Sequence, residues 1–196
     1  MWTLWVAAAA AEPRNADALV ALGLHRYDVE SARVELRLEG AQTGVEFIEW
    51  THWGWWERRA THVSMFGQPV EQEWYADGER VVAIDRKAGT GVTLTNVVPA
   101  RDELASTAIL LAAHATRTRD TDEVAGQPCE VWRIPAPSAT VCVWRGFTLR
   151  SEASVLGMSL RSEATRVEVG ATVGTWTIPT DLPLRELSTP PPGLIR

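Results

Sequence analysis

The chain has 196 residues, 45% of them apolar and 22% charged, with a formal net charge of −6. That length suits one domain with a real core, and the composition excludes a disordered chain. The acidic balance argues against a nucleic-acid partner, because phosphate contacts need a basic surface.

In chain order, Met1 to Ala11 is a short apolar run ending in five alanines before Glu12-Pro13. It resembles the end of a secretory signal peptide, with cleavage expected near Ala11 and a mature start at Glu12. A frayed segment or the first turns of a helix is the other reading. Residues 12–187 are expected to form a single domain and 188–196 a proline-rich tail. No run of the roughly 20 apolar residues needed for a membrane helix occurs.

Ala16 to Leu24 has helical character. Val34, Leu36 and Leu38 then alternate with Arg33, Glu35 and Arg37, a strand with one buried face. Val45 to Trp50 is a second strand. Trp53 to Met65 reads as a third, on which Trp53 and Trp55 share one face while Trp55 and Trp56 oppose each other. One of that last pair must then meet a helix, a ligand or solvent. Val70 to Ala76 and Arg80 to Arg86 flank Asp77-Gly78, a strong hairpin signal. Val92 to Val98 is strand or extended loop.

A helix is expected after Pro99. Asp102 and Glu103 suit its first turn. Leu104, Ala108 and Leu111 form a stripe, and Ile109, Leu110, Ala112 and Ala113 make the remaining surface apolar, as in a buried helix. Thr116 to Glu123 reads as a solvated turn, with a calcium site at the small acidic cluster Asp120, Asp122 and Glu123 as the lesser reading. Cys129 to Ile134 and Thr140 to Arg145 form a hairpin about Pro135-Ala136-Pro137. Thr148 to Val155 and Leu160 to Val169 continue the meander, and Trp176 to Ile178 is a short last strand. Strands do not alternate with helices, which argues against a parallel βαβ architecture. The expected class is mainly β, a curved antiparallel sheet with a helix in its concave face. A closed antiparallel barrel is the alternative.

Ten Trp stand against three Phe and two Tyr. Most must be core or cavity wall. Catalytic motifs are missing: no nucleophile elbow, phosphate loop, dinucleotide fingerprint or His-Glu-x-x-His occurs. His52 and His62 share a parity that would place them together, but two histidines do not make a metal site. No cofactor is implied. Cys129 and Cys142 permit one disulfide in an exported chain, or are two small buried residues. A hairpin symmetric about Pro137 pairs Cys142 with Trp132, so a bond requires a bulge or a different turn.

Three segments, Asp77 to Asp85, Val124 to Trp132 and Val141 to Ser151, resemble the hairpin, second-half entry and following strand pair of the periplasmic lipoprotein-carrier-like superfamily. The resemblance spans roughly Tyr27 to Pro179 and rests on structural motifs; no lipoprotein-handling residue of the carriers has a counterpart here. It implies an unclosed β-barrel with a helix plugging an apolar cavity. The function expected is non-catalytic binding of an acyl chain, lipid or lipidated protein in the cell envelope, with Trp53, Trp55, Trp74, Leu104, Ala108 and Leu111 as cavity or lid residues. The alternative is an interaction or sensor domain of the same fold, with an envelope protein as partner and no lipid.

Overall fold

Period-two alternation becomes strand over most of the chain. The computed structural model describes residues 14–95, 115–135, 138–155, 157–174, 176–179 and 181–187. The expected leader 1–11, the expected helix with Leu104, Ala108 and Leu111, and the expected tail 188–196 lie outside them. A helix α1 (Ala16–Ala21) comes first, capped by the Asn15 side chain, which accepts from the Ala18 N–H. A meander follows: β1 (Ala32–Gly40), β2 (Gln42–Thr51), β3 (Trp56–Met65), β4 (Gln68–Asp77), β5 (Arg80–Asp85) and β6 (Thr90–Leu94). The second meander is β7 (Thr116–Val124), β8 (Gln127–Ile134), β9 (Ala139–Trp144), β10 (Phe147–Val155) and β11 (Met158–Val169), and β12 (Leu184–Leu187) ends it.

These strands form one mainly β sheet in the order β12-β6-β5-β4-β3-β2-β1-β11-β10-β9-β8-β7. Every neighbouring pair is antiparallel except β12 with β6. The two edge strands are not hydrogen-bonded to each other, so the sheet is not a closed barrel. No described helix is long and apolar enough to cross a membrane.

One face of the sheet carries the main core. Val34, Leu36, Ile48 and Trp50 pack with Val124, Cys129, Cys142, Trp144, Phe147 and Leu149. These residues come from strands on both sides of the central β1, so this part of the sheet curls around them. On the opposite face, Tyr75, Val82 and Ile84 are covered by Trp176, Ile178, Leu182 and Leu184. The expected strand at Trp176 to Ile178 is therefore irregular chain laid over β4 and β5, and the last strand is β12.

Two more expectations are corrected. Thr116 to Glu123 is not a turn but most of the edge strand β7. Its charges fit that place, since they deter pairing with a second sheet edge. Trp53 and Trp55 do not share a strand face, because His52–Gly54 is a 3-10 turn joining β2 to β3. This separates His52 from His62 by the length of β3 from Trp56, about 20 Å at ~3.3 Å per residue.

Cys129 and Cys142 are bonded, with Cα atoms 5.4 Å apart. Cys142 lies opposite Val131, one step from the symmetric register, and β8 and β9 pair without a bulge. Cys129 is two residues along the same face, so the bond takes a diagonal. A different turn, not a bulge, makes it possible. Both residues are buried in the main core. Unfolded, unreduced protein is expected to show no reactive thiol on titration. The double variant Cys129→Ala/Cys142→Ala should lose about 3 kcal/mol in denaturant unfolding, the chain-entropy value for a loop of this length.

Candidate functional site

The site begins with the turn after β2. Its strand partners close as Thr51 and Trp56, which forces four bulky or small residues into a tight reversal. His52 and Trp53 both take φ of 52°, a conformation that costs a non-glycine residue roughly 1–2 kcal/mol. The segment 25–30 holds it there. Trp53 N–H donates to Glu30 O, while Arg26 N–H and Tyr27 N–H donate to Trp53 O. The Trp53 indole stacks on His25 with centroids 4.6 Å apart. Gly54 completes the clamp: a Cβ there would stand 2.5 Å from Cδ2 of Tyr27. The strained turn thus fixes Arg26 and Tyr27 over the start of β3.

Below them lies Glu57, with no solvent exposure. The Tyr27 hydroxyl donates to its Oε2 at 2.8 Å, and Arg59 Nε donates to its Oε1 at 2.5 Å. Arg26 Nη1 stands 4.0 Å from Oε2. Burial alone would raise the Glu57 carboxyl, but the charges of Arg59 and Arg26, with the two hydrogen bonds, hold it below its ordinary 4.5. Burial and the neighbouring Glu57 charge push Tyr27 up to about 12. Arg59 keeps its proton more firmly than usual: desolvation opposes the charge, and Glu57, Tyr27 and Glu46 together outweigh it. Both guanidinium groups also sit over the Trp74 indole, Arg26 at 5.9 Å and Arg59 at 5.5 Å from its centroid.

Strand register extends this cluster into a groove. Ile48, Arg59, Trp74, Ala83 and Val92 are successive partners across β2 to β6. The next inward row is Glu46, Thr61, Gln72, Asp85 and Thr90. Apart from Ile48, both rows line a groove of 630 Å³, with Arg26 at one end. That volume lies within the roughly 300–1,000 Å³ of small-molecule sites. Burial raises the Glu46 carboxyl, against the opposing charge of Arg59 and a hydrogen bond from Thr61.

The three tryptophans expected in a cavity are therefore divided. Trp74 lines the groove. Trp55 is buried beneath α1 against Ala16 and Leu19 and donates from its indole to Leu24 O at 2.7 Å. It is the member of the Trp55-Trp56 pair that meets a helix, while Trp56 packs on Trp176 at 5.2 Å. Trp53 braces the turn outside the groove lining. Sequence reasoning missed the ion pair of buried Glu57 with half-buried Arg59. Their period-two spacing on a strand, next to Trp55 and Trp56, was the available signal. Among the described residues, no group of three metal-ligating side chains occurs.

No family model matches the chain, and no curated protein matches it. Among the solved structures similar to it is "Structure of PNGF-II in C2 space group", at a TM-score of 0.40 and 12% identity. The match covers 81% of this chain and 31% of that one, so the chain spans about a third of that protein's length.

Two substitutions separate the carboxylates. Glu57→Gln leaves the half-buried Arg59 without its counter-charge and should cost about 1–3 kcal/mol in denaturant unfolding. Because its folded pKa lies below 4.5, Glu57 contributes fully above about pH 4.5, and the contribution drains as pH falls through the depressed value. That part of the acid slope should vanish in the variant. Glu46 has the opposite sign: its folded pKa lies above 4.5, so its favourable contribution is present below that pH and lost as pH rises. Glu46→Gln should accordingly raise Tm at pH 7 in calorimetry.

Proposed function

We propose that the chain is a non-catalytic binding protein of the cell envelope. Its ligand has an apolar body, an acyl chain, lipid or lipidated protein, held over Trp74, Ala83 and Val92. The observation that carries the reading is the groove itself. Among the described residues, the inner face from β7 round to β2 is filled by its own side chains, whereas the part from β3 to β6 leaves a groove beside a half-buried tryptophan. Burial of each methylene there contributes about 0.8 kcal/mol. The reading includes an unclosed barrel with the apolar 104–113 stretch packed on the concave face, supported by the sequence pattern of that stretch. Export is supported by the disulfide, which persists in oxidising compartments.

Binding without catalysis is supported by the engagement of Glu57. Both its oxygens accept hydrogen bonds and its charge is held by two arginines, so it has no proton to give. The charged groups at one end of the groove would orient a ligand's polar end.

Native mass spectrometry of protein exported to a bacterial periplasm tests the reading. The expected result is an added mass that organic extraction removes and that Trp74→Ala reduces about tenfold at equal protein. Protein that carries no added mass, and takes up no octyl- or dodecyl-chain ligand in titration calorimetry, overturns it.

A further inference from the structure

We propose that the groove holds a subsite for an uncharged sugar ring along the row Glu46, Thr61, Gln72, Asp85 and Thr90. The inference rests on the reading that the groove binds a ligand, and adds the chemistry of that ligand's polar part. Five polar side chains stand in register on five adjacent strands, all on the inner face. At the spacing of neighbouring strands the row is about 19 Å long. In order it presents a carboxylate, a hydroxyl, an amide, a carboxylate and a hydroxyl. The amide and hydroxyls both donate and accept, which matches vicinal hydroxyls, each of them a donor and an acceptor.

The parallel row supplies what the other side of a sugar ring needs. Its C–H face is apolar, and Trp74, Ala83 and Val92 present an apolar strip one step along the same strands. Ala83 is the register partner of Trp74 and is small, so the side of the indole toward β5 has room. Charge argues against an anionic head. The two cations of the groove, Arg26 and Arg59, already face Glu57 and the nearby Glu46. Glu73 is matched by Arg58 and Arg86. Asp85 lines the same row and, among the described residues, meets the Ala88 N–H but no cation, so the row leans negative, and a neutral polyol meets no charge repulsion there.

The sugar has two sources, a free saccharide or the head of a lipid. Titration calorimetry with maltose, octyl β-maltoside below its micelle threshold, and 1-octanol separates them. The test compares wild type with Thr61→Val/Gln72→Leu and with Ala83→Phe, each first shown by thermal melt to be folded. The expected result is binding of octyl maltoside at least about tenfold tighter than octanol, the worth of one or two net hydrogen bonds. The double variant should bring that ratio to about one without weakening octanol, and Ala83→Phe should weaken both. Equal binding of octyl maltoside and octanol by wild type overturns the subsite and leaves the apolar-ligand reading standing. A ratio unmoved by the double variant also overturns it. Maltose bound as tightly as its octyl glycoside, in a manner the double variant abolishes, upholds the subsite and removes the acyl chain from the proposed function. Binding of none of the three probes overturns both.

Discussion

A carboxylate removed from water must find its partners within the protein, and Glu57 finds them in two parts of the chain. Tyr27, with Arg26 beside it as a second cation, comes from the segment before β1, and Arg59 from two residues along β3. Because a buried charge that loses a partner is costly, these parts cannot separate independently. The strained turn at His52 and Trp53 is held in place by that same segment. The direction of Arg59, and with it the cover of Trp74, follows from the demand of one carboxylate. The polar end of the groove is thus a product of core electrostatics, not a surface decoration.

The same face of the sheet explains why there is room for a groove. Toward β1 and β10 the inward residues are Val, Leu, Ile, Trp and Phe, and they meet across the curl. Along the groove on β5 and β6 they are Ala83, Val92, Asp85 and Thr90, which are smaller or polar, with Val81 and Leu94 beyond it. Large apolar residues on these strands, such as Ile84 and Tyr75, point to the other face, where the chain between Trp176 and Leu184 covers them. The pleat divides one strand pair between a closed outer layer and an open inner one.

Much of this was legible in the sequence. β1 shows clean alternation, and Asp77-Gly78 closes β4 onto β5, with Gly78 at φ 63°. The Trp-rich turn was not legible, because its positive-φ positions hold His52 and Trp53, not Gly or Asn. Only tertiary contacts could select that conformation. β7 was read as a turn because an edge strand with both faces polar carries no period-two signal. The two rows of the groove require register across five strands, which no single segment specifies. The Cys129–Cys142 pair was legible as a candidate, but its diagonal depended on which residues the turn placed opposite each other.

The seam between β1 and β11 sets the order in which the sheet can assemble. Within β1 to β6, and again within β7 to β11, each strand pairs with its immediate neighbour in the chain. Those contacts close short loops. The seam joins Ala32 to Val169 and Gly40 to Leu160, across more than half the polypeptide. Its loop-closure entropy must be met before it returns any pairing energy. The two meanders are therefore the early-forming units, and the seam is the slow step. Until it closes, Val34 and Leu36 have not met Trp144 and Leu149, and two unpaired strand edges stand exposed at the centre of what will become one sheet.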